Sequence, residues 1–206
     1  MTTKILAHEV CISEALLYQH FSSKDELFRE LVDILEARAP AIQQYFLEAQ
    51  PTSRLLVDYL SMMTYVSLHP SFQKEDARLS RLLLESLLGD GNLAQTHMNR
   101  RWGSIKDILV QAYRAAQNSG DIVALNEEPH EDLRLFFSHQ LVMMIHCFWH
   151  VPKQSVMPET LSPEDLIDQV MLFILQGIGF KQSAIKRLYG PEKILGRLAK
   201  IVRELS

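Results

Sequence analysis

Three histidines, His139, His146 and His150, are the residues of this chain whose spacing comes closest to a recognisable chemistry. At 100° per residue they fall within about 40° of one another on one helix face, and the last two have the four-residue spacing at which imidazoles can share a zinc ion. No carboxylate joins the stripe and no His-Glu-x-x-His pattern is present. The row therefore reads as structural, at a dimer seam or a pocket wall, and no metal or other cofactor is expected. Cys11 and Cys147 lie far apart, without pairing or zinc-ligand spacing, and fit a reducing compartment. The chain carries no Gly-rich phosphate loop, nucleophile elbow or carboxylate pair with a plausible site. This argues against an enzyme.

A second chemistry lies near the N-terminus. Gln19 has an amide that can bond adenine bidentately. Lys24 sits within Ser23-Lys24-Asp25-Glu26, a capping-box sequence in which Ser23 accepts from the Glu26 amide and Glu26 reaches back to the Ser23 amide. Its charge would stand at a helix N-terminus, where amides already favour anions. Upstream, Thr2 is placed to cap a helix to about residue 10, and Ser13 to cap one to about residue 20. Two short helices joined by a tight turn are the arrangement that lays a recognition helix in the DNA major groove. On spacing alone the same residues also fit plain helical packing, with a solvated Gln19 and a Lys24 that only decorates a capped terminus.

The residues from Thr2 through Leu6-Ala7, Ile12-Ser13, Leu17-Tyr18-Gln19-His20-Phe21 and Ser23-Lys24-Asp25-Glu26-Leu27-Phe28 resemble the signature of the tetracycline-repressor (TetR/AcrR) family of bacterial transcription regulators. The turn departs from it, reading Val10-Cys11 where the family has Ala-Gly. The resemblance implies that Leu6, Ile12, Leu17 and Phe21 hold three helices together. It also implies that Thr2, Ser13, Glu14, Ala15, Leu16, Tyr18, Gln19, His20 and Lys24 face DNA, the first residues of the second helix and Gln19 toward base edges, and Tyr18, His20 and Lys24 toward phosphate. It further implies a homodimeric body with an internal ligand pocket, a transmitting helix over 24–38, and a ligand-released repressor on a palindromic operator. Family members carry another helix before Thr2, so residues 1–39 read as an N-terminally incomplete helix-turn-helix domain. The alternative is a small-molecule-binding or interaction protein of the same fold that has lost DNA binding.

These residues must be positioned by helices, because the apolar spacing is helical nearly throughout and no alternating β-branched stretch argues for a strand. The fold class is all-α. Residues 40–206 read as a ligand-binding and dimerisation domain with helices over 41–49, from Ser53 to about residue 69, and over 72–88, 93–118, 130–150 and 164–180, punctuated by Pro51, Pro70, Gly89-Asp90-Gly91 and Asn118-Ser119-Gly120. The segment 141–149 is apolar nearly all round and, with 164–180, should form the dimer bundle, where Gly177 and Gly179 would allow close approach or loosen a helix end. Tyr59, Met62, Met63, Tyr65, Trp102, Tyr113, Phe137 and Met144 are the candidate lining of an adaptable apolar pocket for a small apolar or amphipathic ligand.

Charge is unevenly distributed over the 206 residues. Residues 1–40 carry four basic and seven acidic side chains, 41–180 ten and sixteen, and 181–206 seven and two. A basic amphipathic helix from about residue 191 follows, with Lys193, Arg197, Lys200 and Arg203 on one face, docked on the body by the other or else serving a membrane surface or nucleic acid. Apolar runs such as 141–145 and 170–175 fall short of the ~20 residues that span a bilayer. No signal-peptide pattern opens the chain. A cytoplasmic protein without membrane partners is expected.

Overall fold

The structure, a computed structural model, describes residue 7 and residues 13–23, 26–27, 30, 40–70, 77–123, 131–151, 156 and 162–204. Among these the fold is all-α: α1 (Glu14–His20), α2 (Pro40–Glu48), α3 (Ser53–Leu68), α4 (Ala77–Leu88), α5 (Asn92–Asn118), α6 (Glu131–His150), α7 (Pro163–Ile178), α8 (Gln182–Leu188) and α9 (Pro191–Glu204). The one extended pairing among them is an isolated bridge between Ile122 and Phe180. Thr2, Leu6, Ile12, Lys24, most of the transmitting helix and the loop prolines Pro152 and Pro158 lie outside the described residues.

Local chemistry sets the helix ends. Pro40 opens α2 at the position where its missing N–H costs nothing. The cap of α3 is Thr52, whose Oγ1 accepts the Leu55 amide at 3.1 Å; Ser53 is the first helical residue, buried with its Oγ 3.2 Å from that of Ser119. Between α4 and α5 the Gly89 and Gly91 amides both close on the Ser86 carbonyl, and Gly91 takes φ 77°, which a side chain resists. Ser162 caps α7, which has Pro163 at its start. That helix stops at Ile178, two residues earlier than expected, because Gly179 turns left-handed at φ 101°. Gly179 is thus a cap, and Gly177 permits no close approach within the chain, since nothing lies within 4 Å of where its Cβ would stand.

The chain divides into two compact units, Met1–Pro40 with Arg78–Gly103, and Ala41–Ala77 with Ser104–Ser206. In the second unit α3 is the hub, packing on α6, α7, α8 and α9, while α7 also packs on α6 and α8. Leu56, Leu60 and Leu68 of α3 are shut from water, each burial worth about 1.5–3 kcal/mol. Ile105, Leu109, Ala112, Tyr113 and Ala116 form the buried stripe of the part of α5 in this unit. Its α5–α6 loop is tied to the end of α7. The Val123 amide bonds the Gly179 carbonyl at 2.9 Å, the Lys181 amide bonds that of Asp121 at 2.8 Å, and Arg134 reaches the Gly177 and Ile178 carbonyls at 3.3 Å. Asp121 is ion-paired with Arg187. Partial burial works against its charge, but hydrogen bonds from Ser53, Arg187 and Ser119 hold its carboxyl below the usual range. No helix among the described residues is long and apolar enough to cross a membrane.

Candidate nucleic-acid interface

Ser13 starts α1 from extended backbone, φ −78° and ψ 149°, and its Oγ accepts the Leu16 amide at 3.0 Å. The Phe21 amide closes the helix on the Leu17 carbonyl at 3.0 Å. Leu17 is the one buried residue of α1; it joins Ala7 and Leu27 in a small core against which Phe21 packs. With Leu17 fixed inward, 100° per residue places Tyr18, Ala15, Gln19 and Leu16 on the opposite half of the helix. Ser13, Ala15, Leu16, Tyr18, Gln19 and His20 are all exposed, and Glu14 is half-buried. Of the residues expected to face DNA, Ala15, Leu16, Tyr18 and Gln19 share that outward half, Ser13 precedes them as the cap, Glu14 and His20 lie within about 60° of Leu17, and Thr2 and Lys24 are outside the described set.

The segment after α1 is anchored differently from its sequence pattern. Ser23 Oγ accepts the Glu26 amide at 3.1 Å, as a capping box requires. The reciprocal bond is displaced by one residue: the Glu26 carboxylate takes the amide and hydroxyl of Ser22, at 2.6 and 2.5 Å, where Ser23 was expected. Both arms still tie the turn between α1 and Leu27, fixing how α1 leaves its core.

Residues 1–31 match the family model described as bacterial regulatory proteins, tetR family. The N-terminal segment is thus similar to that of the TetR family. Among curated proteins the chain is 28% identical over 115 residues to the nucleoid occlusion factor SlmA of Shewanella woodyi and 29% identical over 119 residues to that of Shewanella amazonensis, covering 55% of this chain and 56% of each relative. The chain thus spans about half the length of the curated relatives it matches. No solved structure matches it. The TetR-type segment falls in a unit that also contains Arg78, Arg81, Arg100 and Arg101 against Glu85 and Asp90. Counted over that unit there are eight basic and nine acidic residues, a milder imbalance than the four against seven of residues 1–40. These arginines lie far along the chain from residues 1–40, so the charge of that contiguous segment does not include them.

The candidate pocket residues are spread over α3, α5 and α6 and differ in burial. Tyr59 is half-buried with its ring edge-on to Phe46 at 5.3 Å, Met62 and Met63 are half-buried on the same helix, and Tyr65 stacks on His69 at 4.6 Å. Tyr113 is wholly buried. Trp102 falls in the other unit, and Phe137 and Met144 stand on the exposed face of α6 with Leu133 and Phe148. The histidine row faces the opposite way, into the body: His139 and His146 are buried and His150 half-buried. No group of three or more metal-ligating side chains occurs among the described residues.

Proposed function

We propose that the chain is a DNA-binding transcriptional regulator of the TetR type, a repressor that grips a roughly palindromic operator as a homodimer and lets go when a small apolar or amphipathic ligand binds the helical body. The observation that carries this reading is α1: a helix capped by Ser13, pinned by Leu17 over a small core, and offering Ala15, Leu16, Tyr18 and Gln19 outward within a TetR-type segment. A short helix held in this way presents its outer side chains to the major groove while its neighbours meet phosphate. Dimerisation is supported by the apolar residues exposed on α6 and α7, Phe137 and Phe173 foremost. A second reading, favoured by the names of the relatives, is a nucleoid occlusion factor that uses the same DNA-binding helix.

Selection of bound duplexes from a random pool tests the shared part of both readings. An inverted repeat with half-sites one helical turn apart is expected. Recovery of no sequence, at low as well as moderate salt, would leave the lost-DNA-binding alternative. Mapping the selected sites in the genome separates the rest: sites at promoters whose transcripts rise on deletion mark a repressor, and sites scattered without such transcripts mark nucleoid occlusion.

A further inference from the structure

The C-terminus of α3 is completed by another helix. Helix ends leave their last carbonyls without intrahelical partners, and Pro70, two residues beyond α3, brings no N–H to them. His146 of α6 supplies a donor, its Nδ1 2.7 Å from the Ser67 carbonyl oxygen, and the carbonyl of Leu68, the last residue of α3, acts on the His150 ring as an acceptor. A carbonyl only accepts, so each imidazole gives it an N–H. The two rings are 5.0 Å apart, and the plane of His150 lies nearly parallel to Trp149. His150 Nε2 is shut from water and has no hydrogen-bond partner among the described residues.

This arrangement suits neutral rings and penalises charged ones. A proton on His150 Nε2 would become a buried donor with nothing to accept it, next to a second imidazole that charges over the same pH range. Among the described residues, the other titratable groups at this end include Tyr65 and His69 on α3, Cys147 on α6, and Glu164 on α7, whose carboxylate lies 3.3 Å from the His69 ring. No carboxylate among the described residues contributes to the balance of either His146 or His150. Burial pushes both imidazoles below the ordinary histidine range, with the His146 neighbour adding to the effect at His150, and their carbonyl bonds only partly oppose it.

We propose that His146 and His150 form an acid-released latch between α3 and α6: neutral, they cap α3 across the helix interface, and protonated as a pair they let the last turns of α6 come away. Their folded-state preference is for the neutral form, so the stability they confer is full above the unfolded-state value of about 6.5 and is lost as pH falls below it. Met144 and Phe148 stand on the same turns of α6. Release therefore also loosens the face offered to a second copy, a step that rests on the homodimer reading above.

The full-length chain is titrated from about pH 7.5 to about pH 5 while the histidine ring resonances and the thermal midpoint are followed. Two imidazoles, assigned by His146→Gln and His150→Gln, should titrate below the ordinary histidine value, and the thermal midpoint of the wild type should drop across the same range. The double glutamine variant, which can still donate to the carbonyls but cannot charge, should lose most of that drop. If the double variant does not fold, the single variants and the ring titration of the wild type decide. Ordinary or raised titration of both rings, or equal acid sensitivity with and without them, overturns the latch. Sedimentation over the same pH range isolates the second step: a monomer at every pH removes the dimer reading and leaves the latch to the ring titration.

Discussion

Gln19 and Lys24 allow the DNA-binding reading to be tested one side chain at a time. Gln19 projects from the exposed side of α1, opposite Leu17. If its amide reads adenine, Gln19→Ala relaxes preference at one operator position by about 1–3 kcal/mol and leaves the salt dependence of binding unchanged. Lys24→Ala should do the reverse, weakening all sequences alike and making the slope of log affinity against log salt shallower by about one unit per subunit. Competition binding at several salt concentrations separates the two. A variant pair with unaltered affinity, in protein that binds the operator, would remove α1 as the reader. At this scale the sequence was legible wherever chemistry is local. Ser13 caps α1 and Leu17 is buried because a hydroxyl before a helix and a single inward leucine need no tertiary information. The choice of Ser22 over Ser23 by the Glu26 carboxylate was not legible, since neighbouring serines offer it the same groups and only the backbone path decides.

Helices that end at prolines and glycines could be placed from sequence, and those that depend on neighbours could not. α8 is seven residues long, too short for apolar periodicity to mark it, and it sits between the left-handed turn at Gly179 and the Gly190-Pro191 start of α9. The histidine stripe was correctly placed on one face of α6, but whether that face looks inward is settled by α3. The attachment of α9 is likewise tertiary. Arg197 approaches Asp58 of α3 at 2.6 Å and donates to the carbonyl of Leu188, the end of α8, at 2.9 Å. Burial pushes the Asp58 carboxyl above its ordinary range even though the Arg197 hydrogen bond and charge oppose this. Arg197→Ala should therefore cost about 2–3 kcal/mol near neutrality, because a largely buried carboxylate loses its partner. The sign of the pH dependence follows. A carboxyl whose folded value lies above its unfolded one favours the fold when protonated, so the deficit of the variant should shrink as pH falls from about 7 toward about 4. Asp58→Asn, which keeps an acceptor for Arg197 and has no charge to bury, should cost less. Denaturant melts at several pH values check both, and a pH-independent deficit would mean that Arg197 acts through the Leu188 carbonyl alone.

Across the whole molecule, sequence reading separated residues 1–39 from the rest, whereas Arg78–Gly103 groups in space with the N-terminal segment. No linear boundary can express that grouping, so the charge balance of residues 1–40 leaves out the four arginines of Arg78–Gly103. The second unit raises a question that one copy of the chain does not answer. Leu133, Phe137, Met144 and Phe148 of α6 fall within about 60° of one another and are all exposed, and on its neighbour α7 Phe173 is 67% exposed. An aromatic left in water forgoes about 1.5–3 kcal/mol of burial. Two-fold pairing of these faces would recover it twice for each contact, since the same patch serves both partners. Phe137→Glu combined with Phe173→Glu should then give a chain that keeps its helical circular dichroism but sediments as a monomer at concentrations of about ten micromolar, where the wild type should be a dimer. Two linked recognition helices gain about 10²-fold or more over one through effective concentration, so operator affinity should fall by at least that factor in the monomer. The fall should be smaller on a DNA carrying a single half-site, where the second subunit has no specific contact to lose. A double variant that remains dimeric would place the subunit contact elsewhere; one that is monomeric yet binds the full operator as tightly as the wild type would show that the two half-sites are not read together.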